Sequence, residues 1–162
     1  MEPMNSPRAL FEFTPTDFAP MESHLEKWRF DADVLPHVRL LGATKGRAIH
    51  TVLADYVSDR MYALSERYFA DVVEEFDASR DEAEVASWLR SHDADVGQDV
   101  LVSHGSRGVY VVTWGLFCAH WSGFCMPASD DVVISPVSEA WILMYYHEDV
   151  FFWGRPIRKV GE

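Results

Sequence analysis

Hydrophobic positions along this chain keep two different periods, and the change comes near Gln98. Ile49, Val52, Leu53, Tyr56 and Val57 follow the i, i+3, i+4, i+7, i+8 spacing that turns one face of a helix inward. Leu64, Tyr68, Val72 and Phe76 continue at every fourth position, flanked by Phe69 and Val73, and predict more helix. Ser58, Asp59 and Arg60 mark either a bend between two helices or solvent-facing turns of a single long one. Ser79 and Glu82 have the spacing of a capping box and predict a helix through Val85, Trp88 and Leu89, stopped by residues 93–97.

Beyond Gln98 the apolar runs are short, aromatic and β-branched. Residues 100–102 and 109–114 read as strands joined by the turn Gly105-Ser106-Arg107-Gly108. Residues 132–135, 140–146 and 150–153 predict three more, with turns at 136–139 and 147–149. Connections this short imply antiparallel neighbours. Trp141, Leu143 and Tyr145 alternate with Ile142, Met144 and Tyr146, so both faces of that segment are apolar. It should be a central strand with helices on one face; the pattern does not say what covers the other.

Ahead of both regimes, residues 1–20 carry Pro3, Pro7, Pro15 and Pro20 and read as an extended arm, which Phe11, Phe13 and Phe18 would pin to the body. Residues 23–30 suit a short amphipathic helix, with Leu25 and Trp28 on its inner face. Residues 31–42 suit either a short strand or a helix starting near Pro36. The expected fold is α+β: a single domain over 21–162 in which N-terminal helices (21–97) pack on a C-terminal antiparallel β-meander (98–155). No internal repeat or low-complexity segment interrupts it.

Composition adds one unusual feature to this picture. A 162-residue chain, 48% apolar and 14% aromatic, can build its own core. Its 26 acidic side chains against 14 basic ones give a net charge of −12. That balance disfavours direct binding to nucleic acid or anionic membrane, which need a basic footprint, and favours a cationic partner. Between residues 71 and 99 there are ten acidic residues (Asp71, Glu74, Glu75, Asp77, Asp81, Glu82, Glu84, Asp93, Asp95, Asp99) against Arg80 and Arg90. On the helical reading they form a solvated face opposite the apolar one. No apolar run reaches the ~20 residues of a membrane helix, and no secretory signal is read at the N-terminus. A cytoplasmic protein is expected, with Cys118 and Cys125 as small buried thiols among Trp114, Phe117, Trp121 and Phe124.

Catalytic patterns are weak. His104, His120, Asp130, Asp131, His147, Glu148 and Asp149 include metal-ligand types, but no H-E-x-x-H or paired C-x-x-C spacing organises them. Cys118 with His120, or Ser103 with His104, supply the elements of an activated nucleophile without an orienting acid. Gly42-Ala43-Thr44-Lys45-Gly46 precedes a helix as a phosphate loop does, yet lacks the Walker order of lysine and hydroxyl. No metal or cofactor is expected.

The segment Ser129-Asp130-Asp131-Val132-Val133-Ile134-Ser135-Pro136, with Ala140-Trp141-Ile142-Leu143 and Tyr146-His147-Glu148-Asp149-Val150-Phe151-Phe152-Trp153-Gly154-Arg155, resembles the C-terminal sheet of small acidic bacterial immunity-type proteins. The likeness covers about 45 residues and lies in aromatic strands with acidic turns. It implies a non-enzymatic protein that binds and neutralises a cognate toxin encoded beside it. Charge and turn placement, not the resemblance, select the candidate partner-binding residues: Glu74, Glu75, Asp81, Glu84, Asp130, Asp131, Tyr146, Glu148, Asp149 and Trp153. The partner would be basic. Two alternatives stand beside this one: a small metal-dependent hydrolase or ligand-binding domain using Asp130, Asp131, His147 and Glu148, and an acidic mimic of nucleic acid.

Overall fold

The computed structural model describes residues 6–21, 29–58, 63–70 and 73–162. The helix expected over 23–30, the bend at Asp59 and Arg60, and the side chains of Asp71 and Val72 fall wholly or largely outside these residues.

Eight strands form one antiparallel sheet: β1 (Phe18–Ala19), β2 (Arg39–Leu41), β3 (Glu74–Asp77), β4 (Asp99–Ser103), β5 (Val109–Thr113), β6 (Val132–Pro136), β7 (Ile142–Tyr146) and β8 (Val150–Gly154). Their spatial order is β1-β2-β5-β4-β6-β7-β8-β3. The N-terminal half therefore supplies both edges of the sheet, and the C-terminal half its middle. This overturns the expected arrangement of N-terminal helices on a C-terminal meander. Strands are spread along the chain, and the described helices are four and short: α1 (Ala43–Ala54), α2 (Glu82–Arg90), α3 (Trp114–Ala119) and α4 (Trp121–Phe124).

The decisive error lies between residues 64 and 77. Leu64, Tyr68 and Phe69 are buried but lie outside any helix, Leu64 in an isolated β-bridge to Val57, and Phe76 belongs to β3. Every-fourth spacing there is compatible with a strand, because Phe76 is flanked by Glu75 and Asp77 in strict alternation. Pairing decides the matter: Glu74 faces Trp153, Glu75 faces Phe152 and Phe76 faces Phe151 across the β3–β8 ladder. Tertiary hydrogen bonding here outweighs local periodicity. Residues 114–124 depart in the other direction, forming α3 and α4 inside the span 98–155 that was expected to be a β-meander. The Thr113 side chain accepts the Leu116 amide and starts the first of them.

Elsewhere the patterns hold. α1 buries Ile49 and Leu53, and β4 and β5 form the expected hairpin around the 105–108 turn. The ambiguous segment 31–42 contains both a 3-10 turn at Leu35–His37 and strand β2. α2 forms with Asp81, not Ser79, as its cap: the Asp81 carboxylate accepts the Ala83 amide at 2.9 Å. Ser79 is instead bonded to Asp77.

Period-two alternation gives the sheet two apolar faces, and both are covered. Val100, Val102, Tyr110, Val112, Ile134, Leu143, Tyr145 and Phe151 pack under α2, α3 and α4. Leu101, Val109, Val111, Val133, Ile142 and Met144 pack under α1 with Tyr56, Leu64, Tyr68 and Phe69. Each large side chain so buried contributes about 1.5–3 kcal/mol.

Gly154 permits one close approach in this second layer. A Cβ built there would lie 2.9 Å from Phe69 Cδ1 and 3.2 Å from Leu64 Cδ1. Gly154→Ala should therefore destabilise the protein by about 1–3 kcal/mol, measured by urea unfolding. An unchanged midpoint would mean that the 64–69 turn yields freely.

Candidate protein-binding surface

Most of the acidic residues singled out by the sequence are engaged within the molecule. Asp130 is fully buried. Its carboxylate accepts from Arg29 Nη1 at 2.7 Å, from Arg107 Nη2, and from the Met126 amide at 2.9 Å. Burial alone would raise its pKa; these donors win and hold it at about 2. Asp131 accepts from both the backbone amide and Nδ1 of His147, at 3.0 and 2.9 Å. Asp149 accepts the Tyr145 hydroxyl at 2.8 Å and takes a positive φ of 66° in the tight β7–β8 turn.

Much of the acidic run from residue 74 to 99 is engaged similarly. Glu74 pairs with His92, whose Nδ1 donates to the Trp88 carbonyl at 2.7 Å. Asp81 caps α2, and Glu84 lies 3.8 Å from Arg80 in an exposed ion pair worth little. Asp93 accepts Trp141 Nε1 at 2.9 Å and Gln98 Nε2 at 2.7 Å. Asp99 meets Arg39 at 2.9 Å.

Trp153 falls on the α2 face of β8. Its ring lies 4.5 Å from that of His92, with the Arg155 guanidinium 5.0 Å from its centroid. Phe76, Trp88 and His92 continue this row of rings, at 4.6 and 4.5 Å between successive centroids. These rings seal the margin of the α2 layer.

On the opposite face of the same edge the structure brings three of the ten candidates together. Glu75, Tyr146 and Glu148, with Val150 and Phe152, line an open recess of about 370 Å³. Register explains the meeting. Glu75 lies opposite Phe152 on β8, and Tyr146 lies opposite Val150, so these side chains project to one side. Glu148 enters from the β7–β8 turn, which the Asp131–His147 and Tyr145–Asp149 bonds fix, and the His147 ring rests 4.3 Å from that of Tyr146. Glu75 and Glu148 are both exposed, and neither has an ion-pair partner among the described residues. Phe152 escaped the sequence reading, because its place beside Glu75 depends on β3, a strand mistaken for helix.

The catalytic patterns do not assemble. Among the described residues no group of three or more His, Cys, Asp or Glu side chains converges as a metal site. Asp131 does meet His147, but Asp130 is turned inward to Arg29 and Arg107, and the four side chains do not converge on one point. Cys118 and Cys125 are both free and buried. Burial pushes the Cys118 thiol up to about 12 and that of Cys125 well above its ordinary value, so neither offers a thiolate. Ser103 is bonded to His50 Nδ1 at 2.8 Å rather than to His104.

No protein-family model, curated protein or solved structure matches this chain. Among the described residues, no helix is long and apolar enough to cross a membrane.

Proposed function

We propose that this protein is a non-enzymatic immunity protein, acting in the cytoplasm by binding a basic bacterial toxin through the acidic, aromatic edge formed by β3, β7 and β8. The observation that carries this reading is the pair Glu75 and Glu148, left without internal cations on either side of Tyr146 and Phe152. A lysine or arginine from a partner would meet two carboxylates there, with its aliphatic stem on Val150 and Phe152, so that charge-assisted hydrogen bonding combines with apolar contact. The surrounding charge of −12 would speed encounter with such a partner. A turn fixed by internal bonds keeps the ordering cost of binding low.

The test is the double reversal Glu75→Lys with Glu148→Lys, both at exposed positions. Association with the toxin encoded beside the gene should slow by about tenfold or more at low salt, and protection of cells expressing that toxin should be lost. The thermal midpoint should stay close to that of the wild type. Undiminished protection by the double variant would remove this edge from the interface. Inhibition of several unrelated nucleases by the wild type would replace cognate immunity with nucleic-acid mimicry.

A further inference from the structure

The sheet ends differently at its two sides. β1 has two residues and runs directly into Pro20, which has no amide to offer. β3 has four, Glu74–Asp77, with no proline among them, and it closes the strand order at the other side. Glu74, Glu75 and Asp77 are exposed and Phe76 is half-buried. Among the described residues, no strand lies beyond β3.

The ladder fixes which backbone groups of β3 face outward. Ala78 donates its amide to the Asp149 carbonyl at 2.8 Å, one step past the Asp77–Val150 pair. Hydrogen bonding alternates along an antiparallel pair, so Glu74 and Phe76 turn their amides and carbonyls to β8. Glu75 and Asp77 turn theirs to the open edge, each presenting a donor and an acceptor. Side chains alternate as well. Glu75 and Asp77 project to the recess side, whereas Glu74 and Phe76 lie toward α2, Glu74 on His92 and the Phe76 ring 4.6 Å from that of Trp88. These contacts hold the strand in place before a partner arrives.

Charge decides what such an edge accepts. Edge strands invite pairing, but β3 against β3 would set Glu75 and Asp77 of one copy against those of another, and like charges across a ladder repel. The same carboxylates attract a strand of opposite charge. We propose that β3 takes up an extended basic segment of the protein partner as an additional strand, with lysine or arginine at alternate positions beside Glu75 and Asp77 and β-branched residues between them. This rests on the acidic edge being where the partner docks, and adds how the partner is held. Main-chain hydrogen bonds give the added strand its affinity, and its alternate side chains give selectivity. A basic side chain beside Glu75 also stands at the mouth of the recess that Glu75 shares with Glu148.

The end-blocked peptide Lys-Val-Lys-Val-Lys-Val, titrated into the ¹⁵N-labelled full-length protein, tests strand addition without a toxin. In the free protein the Glu75 and Asp77 amides should exchange with water quickly, and those of Phe76 and Ala78 slowly. Peptide at up to ~10 mM should slow the first two by about fivefold or more. Two N-methylated peptides, one blocked at the lysine amides and one at the valine amides, add a second readout. One should lose binding and the other keep it, because only every second amide of an added strand points at its neighbour. The acidic peptide Glu-Val-Glu-Val-Glu-Val should not bind. Unchanged exchange at Glu75 and Asp77, equal effects of the two methylations, or equal binding of the acidic peptide would each overturn strand addition. Such a failure is distinct from failure of the acidic edge itself: if the Glu75→Lys, Glu148→Lys variant still loses protection, the partner docks there by side chains alone.

Discussion

Asp130→Ala should lower the free energy of unfolding by about 3–5 kcal/mol, because it removes the buried carboxylate that the buried Arg29 and the part-exposed Arg107 share. The Arg29 side chain is only 4% exposed and Asp130 not exposed at all. Together with Arg107 and the Met126 amide they tie the segment after residue 28, the β4–β5 turn and the start of β6 into one cluster. For a chain of this size the loss corresponds to a fall of roughly 10 °C in the melting temperature. Acid gives an independent signature. With its folded pKa held at about 2, below the value in the unfolded chain, Asp130 contributes stability that is complete above the unfolded pKa. That contribution disappears as pH falls from roughly 4 to roughly 2. Asp130→Asn should therefore be less stable than wild type at neutral pH, and the gap should narrow across that acid range. A gap that stays constant with pH would show that packing, not charge, holds the cluster.

The same residue shows how far sequence alone could go. Asp130 and Asp131 are adjacent acids ahead of a strand, and nothing local says that the first turns inward to meet Arg29 and Arg107 from distant parts of the chain. The β4–β5 hairpin and the β6-β7-β8 run were legible from alternation and short turns, since those signals depend only on near neighbours; that β6 joins β4 and not β5, as a meander would have it, was not. Nor were the edges. β1 has two residues and β2 three, too few for a period to show, and β3 carries Glu74, Glu75 and Asp77, whose polarity suits an edge strand and a solvated helix equally. Misplacing β3 had a direct consequence for the candidate surface. Glu74 and Glu75 were assigned to one helical face, whereas the strand sends Glu74 toward His92 and Glu75 into the recess with Phe152. Only a cross-strand register could separate those two carboxylates.

Glu139→Ala should match Asp130→Ala in cost, about 3–5 kcal/mol, by the same rule applied at the other end of the molecule. Glu139 is 1% exposed and receives two hydrogen bonds from Arg8, Nε at 2.8 Å and Nη2 at 2.7 Å, and one from the Tyr56 hydroxyl at 2.7 Å. Arg8 also donates to the Val160 carbonyl at 2.8 Å, and the Tyr56 oxygen accepts the Val160 amide at 3.1 Å. One carboxylate thus joins the first described segment, the stretch that follows α1, the β6–β7 turn and the C-terminal residues. Its backbone makes the test discriminating. Glu139 has a φ of 58°, where glycine is favoured by about 1 kcal/mol or more. Were Glu139 only a turn residue, Glu139→Gly would stabilise the protein. If the carboxylate anchors the cluster, Glu139→Gly should lose nearly as much as Glu139→Ala, while Glu139→Gln, which keeps an acceptor oxygen, should lose less. A double-mutant cycle with Tyr56→Phe should then show a coupling of about 1–2 kcal/mol between the two side chains. A stabilised Glu139→Gly would refute the anchor, since relief of backbone strain could prevail only if those buried hydrogen bonds added nothing.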